Sequence, residues 1–358
     1  NFRIKRIEIT SNNNIAGTYD LSQAGLSGTG NSKTITLNVG RDGLKLADQA
    51  TATKSIKNSL YVVIAPGIHT LKVKYTVLDA KNTVMTITKS YKSHNFGANK
   101  ICDIPVNFGV RHYSSGCNYY MWDAAKNYWF GHEWNAATPW QPTTEGATHA
   151  GYPKSKAADG ARWYHEGDGA FEASVNPLFK QLPNANEIGW YVLKGDAHWD
   201  NSTQWTVFGK TYTGGIWLKK LSVIAQENNK KLAELKQADP NGKDLRASLG
   251  EYGFSPKNGK PSDSVISNYF FLPMLTYYDV SPANGKPADS EIGKYFFLPA
   301  LGYYGNGKLY YLGSDGRYWS SSAGPSSSSY ACDLYFSSRG VGLDYSDRSF
   351  GFVAQPFE

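Results

Sequence analysis

The stretch from Tyr295 to Phe352 constrains this chain most. Tyr295–Pro299, Leu309–Tyr311, Gly316–Ser322 and Leu334–Phe336 are short aromatic or apolar runs separated by Gly, Asn, Asp and Ser, and the stretch closes on Asp347–Phe352. Aromatic and β-branched residues suit a pleated, half-buried surface, and clusters of turn-forming residues at such intervals punctuate strands. No helical period runs through it. The spacing predicts a twisted antiparallel sheet, with a last strand over Ser349–Ala354 lying inside the domain.

Composition shows where to divide the chain. All ten Trp lie at or after Trp122, and residues 1–107 carry 14 Lys/Arg against 6 Asp/Glu. The expected division is therefore a first domain over 1–107 and a second over 108–358. The net +7 of the chain belongs to the first domain alone. Its lysines, among them Lys72, Lys74, Lys81, Lys89 and Lys92, are spread along strands and form no block. Solvation and edge protection are the commoner role of such lysines, so no nucleic-acid partner is expected. No apolar run is long enough to span a bilayer as a helix. The sequence opens without a signal peptide and Asn1 leads into a strand, which points to a mature or trimmed product. Cys102, Cys117 and Cys332 show no zinc-ligand spacing. In an exported protein Cys117 and Cys332 are the candidate disulfide, with three free thiols as the alternative.

In the first domain, strands are expected at Phe2–Thr10, Thr34–Val39, Ser59–Ala65, Leu71–Asp79, Val84–Tyr91 and Ile101–Phe108. Several short strands at this spacing suggest an all-β sandwich. In the second, helices are expected over Asn176–Lys194, interrupted at Leu182-Pro183, and over Glu227–Ala238, where Asp239–Gly242 ends the pattern. Asn258–Tyr278 recurs as Asn284–Tyr304, so a duplication of one loop-and-strand unit occupies 255–306.

Leu298–Gly302, Tyr318–Ser322 and Asp347–Phe352 are similar to the C-terminal half of the Fibrobacter-type major paralogous domain, of the C-type-lectin-like and formylglycine-generating-enzyme-like fold group. Tyr120–Ala124, Arg162–Tyr164, Leu182–Glu187, Gly195–Asp200 and Gly214–Trp217 follow the same order, so the resemblance covers Phe108 to Glu358. It implies an α+β C-type-lectin-like fold. Ile4–Ile9, Ile15–Tyr19, Tyr61–Gly67 and Ile101–Phe108 resemble one β-sandwich domain of the Bacteroidales-type fimbrillins, which are pilus or surface-adhesin subunits exported as lipoproteins. That resemblance implies an outer-membrane surface or fimbrial location and other pilus subunits as partners.

The carboxylate triplets with which calcium-dependent lectins of this fold hold sugar are absent, so no cofactor is expected and calcium is not required. Asp196, Asp200 and Asn201 carry oxygens that suit a hard cation, but such clusters more often cap turns. The catalytic cysteine pair of the enzyme branch is also absent, and no enzymatic activity is expected. His198 reads as a turn or core contact. What remains is aromatic surface in polar loops, the composition of recognition surfaces. Trp134, Trp140, Tyr303, Tyr304 and Tyr311 are the ligand-binding candidates, each weighed against the commoner role of filling a core. Trp319 reads as core. The expectation is a cell-surface adhesin whose second domain binds a host or microbial ligand such as a glycan. A structural subunit and an enzyme of the same fold are the alternatives. Because Ser349–Ala354 reads as a domain strand and leaves no free donor segment, a tip position is expected within a strand-exchanging fibre.

Overall fold

The computed structural model describes residues 2–18, 20–23, 25–28, 30–40, 42–45, 59–113, 118–247, 256–257, 260–261, 278–325 and 327–357. The structure is mostly β-strand in several sheets, with few helices. Two compact units divide it: Asn1–Val110 with Gly209–Thr211, and Arg111–Phe208 with Tyr212–Glu358. Among the described residues no helix is long and apolar enough to cross a membrane.

In the first unit, β1 (Arg3–Ser11), β2 (Thr34–Asn38), β3 (Leu44–Lys45), β4 (Gly67–Leu78) and β5 (Val84–Phe96) form one antiparallel sheet. Its order is β2-β1-β4-β5, with β3 also pairing β1. Alternation along the strands sends Ile7, Ile9, Leu71, Val73, Tyr75, Val77, Met85 and Ile87 to one buried face, as a strand period of two requires. The segments 59–65 and 101–108, expected as strands, are extended but make no ladder among the described residues. Their inward side chains Val62, Ile64, Ile104 and Phe108 pack on the sheet's apolar face. Apolar alternation reports an extended chain with a buried side; a strand also needs a neighbouring edge to pair with.

The second unit is built on a six-stranded sheet. Its strands are β6 (Tyr119–Tyr120), β9 (Tyr278–Val280), β14 (Asp315–Ala323), β15 (Tyr330–Ser337), β16 (Val341–Asp347) and β17 (Phe352–Val353). Their order is β9-β16-β15-β14-β17-β6, with β17 parallel to β14 and antiparallel to β6. A four-stranded sheet, in the order β10-β7-β8-β11, joins β7 (His198–Trp199), β8 (Gly215–Lys219), β10 (Ala283–Asn284) and β11 (Tyr295–Pro299). A hairpin of β12 (Tyr303–Gly305) and β13 (Lys308–Tyr310) precedes β14.

Helix α1 (Ala185–Lys194) starts at a capping box: Asn184 accepts from Glu187 N, and the Glu187 carboxylate accepts from Asn184 N. Within the expected span, only a 3₁₀ turn, Phe179–Gln181, forms before Pro183, which stops the helix there. The helix expected over Glu227–Ala238 is instead two short ones, α2 (Leu221–Glu227) and α3 (Leu232–Leu235). Asn229, with φ 53°, breaks them apart, and Asn is among the few residues that tolerate such a backbone. Ile188, Tyr191 and Val192 of α1 share one core with Tyr318, Leu334, Phe336 and Leu343 of the large sheet. On the sheet's other face Trp319, Ala331 and Phe352 join Trp122, Phe179 and Tyr303. Of the first copy of the duplication, 258–278, only Lys260, Pro261 and Tyr278 fall within the described residues.

Candidate ligand-binding site

Hairpin β12–β13 and the start of β14 gather aromatics and charges at one place. Tyr303 and Tyr310 are directly opposite in the hairpin, and their rings stack with centroids 5.2 Å apart. The Tyr311 ring lies 6.1 Å from each of them, Phe350 lies 5.7 Å from Tyr303, and Lys308 Nζ stands 4.7 Å over the Tyr310 ring. Tyr303 is 8% exposed and Tyr311 is 44% exposed. The outermost ring thus rests on a buried aromatic floor. Tyr311 has φ 58°, a left-handed backbone that costs a residue with a Cβ about 1–2 kcal/mol. The Tyr311 carbonyl accepts from Ser314 N and Asp315 N, and also from Ser314 Oγ. The turn that needs this carbonyl holds the ring at the surface.

Asp315 and Arg317 enter from β14. Burial raises the Asp315 carboxyl to about 6; Arg317 opposes the shift and Glu145 adds to it. Arg317 is itself buried, stacked 4.4 Å over Tyr335. Its Nη1 donates to Asp344 at 2.6 Å and to Asp333 at 3.2 Å. Burial works against the guanidinium charge, and Asp344 and Asp333 more than offset it. Asp333 is raised by its own burial, with Arg317 pulling the other way and Asp344 pushing it further up. Arg317 Nε, Asp333 Oδ1 and Asp344 Oδ1 are buried without a hydrogen-bond partner among the described residues. Burial likewise raises Tyr303, to about 12. The arrangement offers the exposed Tyr311 ring for an apolar sugar face, and beside it a carboxyl whose hold on its proton burial strengthens, which suits hydroxyl groups as acceptor or donor.

The other candidates sit elsewhere. Tyr304, next to Tyr303 on β12, faces the opposite side, is 0% exposed and packs against Tyr119, Tyr128 and Trp129. It is a core residue, because neighbours on a strand cannot share a face. Trp140 stacks between His132 and His149, and Trp134 packs edge-on to Phe208; neither belongs to the Tyr303–Tyr311 cluster. Trp319 is fully buried and donates Nε1–H to Tyr120 O.

Asp200 is 1% exposed. Its oxygens accept from Ser202 N and Oγ, Thr203 Oγ1 and Trp217 Nε1, which is a turn cap. Burial disfavours its charge, but these bonds hold the carboxyl below the usual range. Asn201 accepts from Trp199 Nε1, and Asp196 accepts from Tyr295 OH at 2.5 Å. Among the described residues no group of three His, Cys, Asp or Glu is placed to hold a metal ion. Cys332 is a buried free thiol, pushed up by its burial; Cys117 lies outside the described residues.

Sequence reasoning missed Tyr310, Asp315 and the Arg317–Asp333–Asp344 cluster. The available signal was Asp333, a lone charge inside the otherwise apolar run Tyr330–Phe336; nothing comparable marks Arg317 in Asp315–Ala323. Comparison with family models, with curated proteins and with solved structures found no match.

Proposed function

We propose that this chain is an exported cell-surface adhesin, a tip-type fimbrial subunit, in which a fimbrillin-like β-sandwich carries a C-type-lectin-like domain that binds a glycan. One observation carries the proposal: Tyr311 is held at the surface in a left-handed backbone, on the stacked Tyr303–Tyr310 pair, beside the half-buried Asp315 carboxyl. Strained backbone gathers at ligand clamps more than elsewhere, and rigid aromatics beside polar groups suit a pyranose ring. A glycan array probed with the full chain tests it. Tyr311→Asn keeps a residue that tolerates the left-handed backbone and removes the ring. Losing about 1.4 kcal/mol of stacking weakens binding about tenfold. Because no carboxylate cage is assembled among the described residues, chelator leaves the affinity unchanged. An array without hits, or hits that Tyr311→Asn does not weaken, overturns the assignment.

A second reading, a structural subunit that only packs against its neighbours, draws support from the first unit. Segments 59–65 and 101–108 have no ladder partner among the described residues, and Tyr61, Val63 and Ile101 are 70%, 90% and 89% exposed. Such segments suit strand addition from another subunit. Fibre assembly by a chain whose glycan array stays blank selects this reading over the first.

A further inference from the structure

The outer face of the five-stranded sheet in the first unit is predominantly cationic, with Glu8 as the one acidic residue among its outward strand positions. Alternation forces polar residues outward there, but it does not dictate their sign. Arg3 and Arg6 of β1, Lys45 of β3, Lys72 and Lys74 of β4, and Lys92 of β5 occupy outward positions. The register places Glu8 opposite Lys74, Arg6 opposite Thr76 and Lys72 opposite Ser90. Glu8 is already paired with Arg6 at 2.8 Å. Arg3 faces Lys45 directly across the ladder, and like charges so placed are destabilising. Arg3 also donates to Asp42 O and to Asn82 Oδ1. The nearby carboxylate of Asp79 does not neutralise the face, because it is buried and accepts from Lys81 N and Thr83 N. Beside the cations stand the hydroxyl residues Thr88, opposite Lys74, and Ser90, opposite Lys72, both exposed.

We propose that this face binds an anionic polysaccharide, through sulfate or carboxylate groups laid along Lys72, Lys74 and Lys92. Along a strand, outward side chains recur about every 6.8 Å, and strands lie about 4.8 Å apart, so a grid of point charges meets an extended polyanion. Between Lys72 and Thr76 on β4, and between Thr86 and Lys92 on β5, the outward positions hold no aromatic on which a base could stack and no apolar wedge for a bilayer. Lysine, as a strongly hydrated point charge, matches sulfate and carboxylate without demanding a fixed geometry.

The test measures binding of the full chain to immobilised heparin, with neutral dextran, single-stranded DNA and phosphatidylserine vesicles alongside. The expected result is retention on heparin at physiological salt and none on dextran. Lys72→Glu/Lys74→Glu/Lys92→Glu weakens heparin binding tenfold or more with an unchanged melting temperature. A control reversing three exposed lysines of the second unit, Lys230→Glu/Lys231→Glu/Lys243→Glu, leaves it within twofold. The proposal is overturned if the control weakens binding as much, if the first triple variant binds as well as the parent, or if DNA or vesicles bind more tightly than heparin.

Discussion

At the scale of single residues, strand alternation separates core from surface. Trp319 is legible as core from its strand motif, and its removal has a definite expected cost. The ring stacks 4.4 Å from Phe352 and its N–H is satisfied by Tyr120 O, so Trp319→Ala loses about 3–5 kcal/mol. A denaturant midpoint unchanged from the parent, with only ligand affinity lost, would move Trp319 from scaffold to site. Tyr303 and Tyr304 look alike in sequence, yet Tyr303 packs beneath Tyr311 with Trp122 and Trp319, and Tyr304 packs in the other core with Tyr119 and Tyr128. Their difference follows from the pleat once β12 is placed, and nothing in the residue types announces it. Asp315 carries a pH signature. Its carboxyl is raised to about 6 by burial, against about 3.9 in an unfolded chain. The folded state therefore holds the proton more tightly. This contribution is complete below about pH 4 and is lost as pH rises through about 6. Asp315→Asn should leave stability at pH 4 unchanged and raise it at pH 7.5 by about 2 kcal/mol, read from urea titrations at the two values. Equal effects at both would place the carboxyl in water.

Elements were legible where local chemistry decides them. The cap of α1 is one case. Asn184 and Glu187 stand three apart, as a capping box demands, and each oxygen meets the other's backbone N–H. Asn184→Ala removes one of these bonds and frees Lys236 O from the Asn184 amide; the expected cost is about 1–2 kcal/mol in chemical denaturation. Tertiary contacts decided the rest. Helix-forming residues over Glu227–Ala238 gave way to a break at Asn229, because Leu221, Ile224 and Ala225 bury upstream of it. The Arg317–Asp333–Asp344 cluster could not be read along the chain. Its members lie on three strands, and only the pairing of Trp319 with Asp333, and of Asp333 with Asp344, brings them side by side.

For the whole molecule, the shift in tryptophan and charge pointed to a division after Asn107, and the compact units separate after Val110. Limited proteolysis should yield a stable fragment beginning between Pro105 and Tyr119; a digest that degrades the chain without one counts against two independently folded units. The sheet order of the second unit has a further consequence. Its first strand, β6, pairs with β17, the last to be described, and Trp319 reaches back to Tyr120. Contacts between segments so far apart in sequence make folding slow. A chain emerging from a ribosome cannot complete this sheet until Phe352 has appeared. The sheet therefore closes only once the far end of the unit is available.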